Sequence, residues 1–279
     1  MKSKLRSTAT TGCVAAAAAL LGLAPAFAAA PQNGLVAAYY FNTGTPNLDS
    51  TGNSPQVNSH SGVVRTTNRY GVASTAWGYD GIGSYADIAD HNNFSVNTTG
   101  YLTICVWVKP VGTSLNGAGE LLFSAKQGSG YVHWLGKGDT SGTNGNQEWT
   151  FRIYSADNTE GRHNRMSFYV FPYNGGLGPG SYVQDTLTNG GWIHFVAMVS
   201  KPEHKIWWYK NAVLRDSDGF GPTDSYPIAD ADLRNGNALV KLGTRDGGSF
   251  LKGSIDNLLV YNRKLTATEI QDVYNDTTN

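Results

Sequence analysis

The chain has 279 residues with 21 basic and 21 acidic side chains, so its formal net charge is zero, and only 15% of its residues are charged. That balance excludes a broad basic surface, and with it nucleic acid or an anionic membrane as the partner. Thirty-four glycines and an aromatic content of 11% suit many tight turns between aromatic-rich strands.

The chain starts with Lys2, Lys4 and Arg6, then an apolar run over 13–23, then Ala26-Phe27-Ala28. A basic start, a short apolar stretch and a small-residue end predict a secretory signal peptide over 1–28. The run is shorter than the roughly 20 residues a membrane span needs. A secreted chain with a single domain over 29–279 is the expectation. It keeps one cysteine, Cys105, inside the apolar run 102–108, so a buried thiol and no internal disulfide are expected.

Residues 34–41 read as a first strand, followed by a polar loop over 42–61. Short strands over 72–79 and 84–88 are broken by Gly81 and Gly83. Residues 102–108 form a continuous apolar strand stopped by Pro110. After a glycine-rich loop at 136–147, residues 148–154 alternate, with Trp149, Phe151 and Ile153 on one face and Thr150, Arg152 and Tyr154 on the other. Strands over 166–171, 192–199, 205–210, 239–243 and 253–261 follow. Thr266 and Glu269 have capping-box spacing and open a short helix with Ile270, Val273 and Tyr274 on one face. About a dozen short strands at this spacing predict an all-β sandwich, with no internal repeat or linker.

Several separated motifs carry a family resemblance. They are Tyr79-Asp80-Gly81-Ile82-Gly83-Ser84-Tyr85, Gly191-Trp192-Ile193-His194-Phe195-Val196-Ala197, Ile206-Trp207-Trp208-Tyr209-Lys210-Asn211 and Gly253-Ser254-Ile255-Asp256. The last runs on to Tyr261-Asn262-Arg263-Lys264-Leu265. Together these resemble the laminin-G-like (concanavalin A-like) jelly rolls of bacterial extracellular proteins, from about residue 35 to 274. The resemblance implies a two-sheet antiparallel jelly-roll sandwich with a short C-terminal helix. It places Trp107, Trp192 and Trp208 at core positions, as packing. It also implies a structural calcium site, with Asp49 and Asn53 of an Asp-x-Thr-Gly-Asn turn meeting Asp256 of the last strand. Without the resemblance, Asp49 and Asn53 read as turn formers and Asp256 as a strand-edge hydrogen-bonding group. The fold alone does not select a function, because it carries lectins, adhesion modules, hydrolases and lyases.

A sugar ring presents an apolar C–H face and a fringe of hydroxyls, so its site needs flat aromatics beside polar groups. The segment 131–182 holds that mixture. The expected ligand-binding residues are His133, Trp134, Glu148, Arg152, Tyr154, His163, Arg165 and Tyr182. The competing reading makes the tryptophans core and the polar residues a solvent face. Retaining glycosidases need two carboxylates about 5 Å apart, and neither Glu120 nor Glu148 has a partner on its strand. A polysaccharide lyase would use Arg152, His163, Tyr154, Tyr182 and Gln184 for charge neutralisation and proton transfer, although the companion Gln-Ile/Val-His motif is missing. No Gly-x-Ser-x-Gly elbow, His-Glu-x-x-His motif or phosphate loop occurs, and the six histidines lack zinc-ligand spacing. The expected function is therefore secreted, non-catalytic, lectin-like binding of a polysaccharide or glycan. The alternatives are an extracellular polysaccharide-degrading enzyme, foremost a lyase, and an adhesion module that binds protein.

Overall fold

The computed structural model describes residues 29–277, apart from 46, 61, 126–129, 139–145 and 174. The expected leader over 1–28 lies outside the described residues. The strands run in order β1 (Leu35–Tyr39), β2 (Val57–Ser59), β3 (Val64–Thr66), β4 (Ala76–Asp80), β5 (Ala86–Ile88), β6 (Tyr101–Pro110), β7 (Gly112–Leu115), β8 (Leu121–Phe123) and β9 (Tyr131–Lys137). They continue with β10 (Trp149–Tyr154), β11 (Arg165–Val170), β12 (Gly180–Gln184), β13 (Ile193–Ser200), β14 (Lys205–Lys210), β15 (Val213–Gly219), β16 (Val240–Leu242) and β17 (Lys252–Tyr261), before helix α1 (Ala267–Asn275).

An eight-stranded sheet has the order β15-β14-β13-β6-β17-β4-β3, with β1 also paired to β17. A seven-stranded sheet has the order β12-β11-β10-β9-β16-β5-β2. Neighbours are antiparallel throughout both. This is the expected two-sheet jelly-roll sandwich.

The long strand β6 shows why the sheets stack. Leu102, Ile104, Val106 and Val108 point into the core between the sheets, where they join Phe151, Phe168 and Trp208. The alternate residue Cys105 faces outward and is buried too, beside Val196, Met198, Leu259 and Tyr261, under Ile270 and Val273 of α1. A strand covered on both faces reads as a continuous apolar run, not as an alternation. Burial pushes the Cys105 thiol well above its usual pKa, so it is an inert packing group.

Helix α1 forms where its capping box predicts. The Thr266 hydroxyl accepts from the Glu269 N–H at 3.2 Å, and Glu269 Oε2 accepts from the Thr266 N–H at 2.8 Å. Arg263 adds a 2.6 Å ion pair to Glu269. The helix stands because Ile270 and Val273 are buried, each contributing about 1.5–3 kcal/mol. Several strands escaped the sequence reading, among them β2, inside the expected polar loop over 42–61, β3 and β7; the longest of them, β15, Val-Leu-Arg-Asp-Ser-Asp-Gly, is largely exposed along its length. An edge strand with little apolar burial has no hydrophobic period to detect.

Candidate functional site

The four adjacent strands β9, β10, β11 and β12 carry the site. On β10, Trp149, Phe151 and Ile153 enter the core, so Arg152 and Tyr154 stand on the outer face. The register then aligns Arg152 with His133 on β9 and with Ser167 on β11, and Ser167 with Tyr182 on β12. One outer face therefore collects Tyr131, His133, Arg152, Tyr154, Arg165, Tyr169 and Tyr182. A cleft of about 320 Å³ opens over most of this face, with Arg162, Glu160, Leu177, Asp218 and Tyr226 completing its rim. Gly180 is required here: a Cβ at that position would lie 2.4 Å from the Tyr169 ring.

A hydrogen-bonded chain stiffens the floor. His133 Nδ1 donates to Asp246 Oδ2 at 2.7 Å, and Nε2 accepts from Arg152 Nε at 3.1 Å. Accepting from a guanidinium requires a lone pair on Nε2, so the ring is the neutral Nδ1–H tautomer. Burial lowers its pKa to about 4, which agrees with that assignment. Burial disfavours ionised Asp246, but the His133 hydrogen bond and the N–H groups of Gly248 and Ser249 outweigh it and hold the carboxyl below its usual range.

Arg152 is sandwiched between the rings of Tyr131 and Tyr169, each centred 4.4 Å from its guanidinium carbon. Its Nη1 donates to the Tyr154 hydroxyl at 3.3 Å, and that hydroxyl lies 3.1 Å from the one on Tyr169. Burial works against the Tyr154 phenolate, yet the hydrogen bond from Tyr169 and the Arg152 charge turn the balance and lower the Tyr154 pKa. Burial and the shared hydrogen bond raise Tyr169 to about 12. Arg165 stacks 3.9 Å over Tyr182 and donates to Gln184 Oε1. Neither Arg152 nor Arg165 pairs with a carboxylate among the described residues, whereas Arg162 at the rim pairs with Glu160 at 2.8 Å.

Three of the expected binding residues are placed elsewhere. Trp134 is 1% exposed and packs edge-on against Phe151 in the core. Glu148 is buried in an ion pair with Lys137 at 2.5 Å, and it accepts from the Gly236 N–H at 3.0 Å. Lys137 itself also reaches Asp90 at 2.9 Å and the Gly236 carbonyl at 2.7 Å. Glu148 is thus an internal cross-link that ties β9 and β10 to the 230s loop. His163 sits in the connection between β10 and β11 and does not line the cleft.

The expected calcium ligands do not fit a cation. Asp49 accepts from the N–H groups of Ala38, Thr51, Asn53 and Ser54 and from the Thr51 hydroxyl. It is a turn organiser, with Asn53 contributing its backbone. Asp256 is fully buried against the guanidinium of Arg69 at 2.8 Å. Carboxylates ringed by N–H donors and a guanidinium face positive groups where calcium would require oxygen ligands. Among the described residues no cluster of three or more His, Cys, Asp or Glu side chains is placed to hold a metal.

Sequence reasoning missed Asp246, Asp218 and Tyr226. The local signal for Asp246 was its place in the turn Arg245-Asp246-Gly247-Gly248, where an aspartate organises backbone N–H groups. Asp218 comes from the edge strand β15 and Tyr226 from the loop that follows it, and neither carries a local mark. Trp208 is core as expected. Trp192, however, is partly exposed, and with Trp107 it lines a different cavity on the other sheet.

Comparison with known proteins agrees with this architecture. The family model of the concanavalin A-like lectin/glucanases superfamily matches residues 80–271. Domain 4 of AbnA, a GH43 extracellular arabinanase from Geobacillus stearothermophilus, solved in complex with arabinotriose, superposes with a TM-score of 0.57 at 18% identity, over 86% of this chain and 98% of that one. The binding domain of botulinum neurotoxin serotype D/C VPI 5993 gives 0.62 at 11% identity, over 87% of this chain and 52% of that one. The binding domain of botulinum neurotoxin DC in complex with SialylT gives 0.61 at 11% identity, over 87% and 51%. At these identities the likeness concerns the fold. No curated protein matches the chain in sequence. The family model spans more than half of the residues, and on that ground the chain belongs to the concanavalin A-like lectin/glucanases superfamily.

Proposed function

We propose that the protein is an exported, non-catalytic glycan-binding module whose site is the cleft over β9–β12, and that its ligand is a carboxylate-bearing glycan. The observation that carries this reading is the state of Arg152 and Arg165. Both are held among tyrosine rings in a cleft, and neither has a carboxylate partner among the described residues. A partly desolvated guanidinium without a counter-ion is stabilised by an incoming anion, and Arg presents the planar donor fork that a carboxylate accepts. The rings of Tyr131, Tyr169 and the exposed Tyr182 supply flat surface for the C–H face of a sugar. Fold neighbours solved with arabinotriose and with SialylT lend support to a glycan as the ligand class.

Affinity measurements against a glycan panel test the reading. Polyuronates or sialylated oligosaccharides bind, and neutral counterparts bind more weakly at this cleft. Equal binding of both, or none, contradicts it.

One observation favours a second reading. A phenol with lowered pKa, Tyr154, lies beside Arg152 and Arg162 in the same cleft, which is the pairing a lyase needs to move a proton next to a neutralised carboxylate. Incubation with polyuronates decides between them. Growth of ultraviolet absorbance from unsaturated ends establishes catalysis, and unchanged absorbance with retained binding establishes the module.

A further inference from the structure

We propose a second ligand site, specific for a neutral saccharide, between the C-terminal end of α1 and the outer face of the eight-stranded sheet. A cavity of about 280 Å³ lies there, lined chiefly by Arg69, Tyr70, Trp107, Trp192, Tyr274 and Asn275. That is close to the lower end of the range for small-molecule pockets, roughly 300–1,000 Å³, and suits a ligand of one or two rings. The site is separate from the cleft over β9–β12 and does not rest on the reading given to that cleft.

Two features define the ligand. The first is the wall. Trp107 and Tyr274 stack with centroids 5.3 Å apart and planes 25° apart, and partly exposed Trp192 flanks them, with Lys109 5.4 Å from its ring centre. Flat rings of this kind favour the C–H face of a sugar. The second is charge. Arg69 is already neutralised by Asp256 at 2.8 Å, both side chains being at most 4% exposed. Its Nη2 donates to the Asp276 carbonyl at 2.6 Å, and the Tyr70 hydroxyl donates to the same oxygen at 2.7 Å. An anion therefore finds a paired guanidinium, and a cation finds Arg69 and Lys109 close by, so a neutral ligand is preferred.

Behind the wall lies His194. It is 1% exposed and packs against two of the wall rings, 5.0 Å from Trp107 and 5.8 Å from Tyr274. Neither ring nitrogen has a hydrogen-bond partner among the described residues. Burial and the Arg69 charge lower its pKa to about 3, so the ring is neutral and offers one N–H donor and one lone pair. A buried polar group of this kind normally has a partner. His194 is not among the residues that line the cavity, so it backs the aromatic wall and sets no requirement on the ligand.

The test is calorimetric titration of the intact chain with methyl glycosides of glucose, galactose and arabinose and with their short oligosaccharides, in parallel for wild type, Trp192→Ala, Asn275→Ala and Arg152→Ala. Trp192 and Asn275 are partly exposed, so these variants spare the core. At least one neutral sugar is expected to bind, with affinity reduced roughly tenfold by Trp192→Ala, less by Asn275→Ala, and unchanged by Arg152→Ala. No binding of any neutral sugar at millimolar concentration overturns the proposal. So does binding that Trp192→Ala leaves intact, or that Arg152→Ala abolishes. Loss of acidic-glycan binding alone would bear on the other cleft and leave this site standing.

Discussion

Two buried histidines, one behind each outer face, show how differently the two sheets are finished. His133 engages both nitrogens, donating to Asp246 and accepting from Arg152. His194 is buried as deeply and engages neither among the described residues. The arginines beside them divide the opposite way. Arg69, near His194, is closed off by the buried carboxylate of Asp256, while Arg152, near His133, keeps its charge without a carboxylate partner. The whole chain sums to zero charge, so net charge is silent about both faces. In the two readings proposed above, local pairing makes the difference: an anion over β9–β12, a neutral hydroxylated ring beside α1.

Removing an arginine from each face sharpens this contrast most. Arg69→Met takes the guanidinium away from the fully buried carboxylate of Asp256, and a loss of about 3–5 kcal/mol of folding stability is expected. Arg152→Met leaves no buried carboxylate behind; it forfeits its stacking and its hydrogen bonds to His133 and Tyr154, about 2 kcal/mol. Chemical denaturation of the pair checks both, and equal losses would erase the distinction. The histidines give the next effect. His133→Leu abandons a hydrogen bond on each side and costs about 1–3 kcal/mol. His194→Leu removes an unpaired polar ring and is expected to be close to neutral, or stabilising, in the absence of sugar. A large loss for His194→Leu would reveal a partner for that ring.

Acid provides a graded version of the same test. In the unfolded chain a histidine titrates near 6.5, but in the fold burial takes His133 to about 4 and His194 to about 3. Over that interval the unfolded chain binds more protons. Stability is therefore greatest above pH 6.5 and falls as the pH drops toward 4, by up to about 1.4 kcal/mol per pH step for each histidine. Denaturant midpoints across this range should show the slope, and His194→Leu should flatten it. A slope unchanged in that variant would mean that His194 is charged in the fold.

Much of this was legible in the residues, for reasons particular to each. The continuous apolar run of β6 announced a strand covered on both faces, and the Thr266/Glu269 box fixed the start of α1. The alternation in β10 put Arg152 and Tyr154 on one face, and the structure places them there. Glu148 misled because it lies one residue before β10, where alternation predicts the same outer face. In the fold, the side chain of Lys137 and the backbone at Gly236 bury it, and neither is visible in the local pattern. Trp134 has core parity on β9, and its polar neighbours outweighed that parity in the reading. Trp192 was assigned to packing from its place in a family motif. It lines a cavity with Arg69, Trp107 and Tyr274, residues that no local sequence window brings together. The Asp246–His133 pair joins residues 113 apart in the chain, so only the fold could show it.

The central claim is that Arg152 and Arg165 select a carboxylate, and one comparison tests it most directly. Binding of a polyuronate is measured beside the same polymer with its carboxylates reduced to alcohols, for wild type and for the double variant Arg152→Ala, Arg165→Ala, with Trp192→Ala added to both proteins to silence the site beside α1. The expected result is a preference of wild type for the acidic polymer by roughly 10- to 100-fold, matching charge-assisted hydrogen bonds of about 1.5–3 kcal/mol, with that preference lost in the double variant. Wild type binding both polymers alike, or the double variant keeping the preference, would contradict the account.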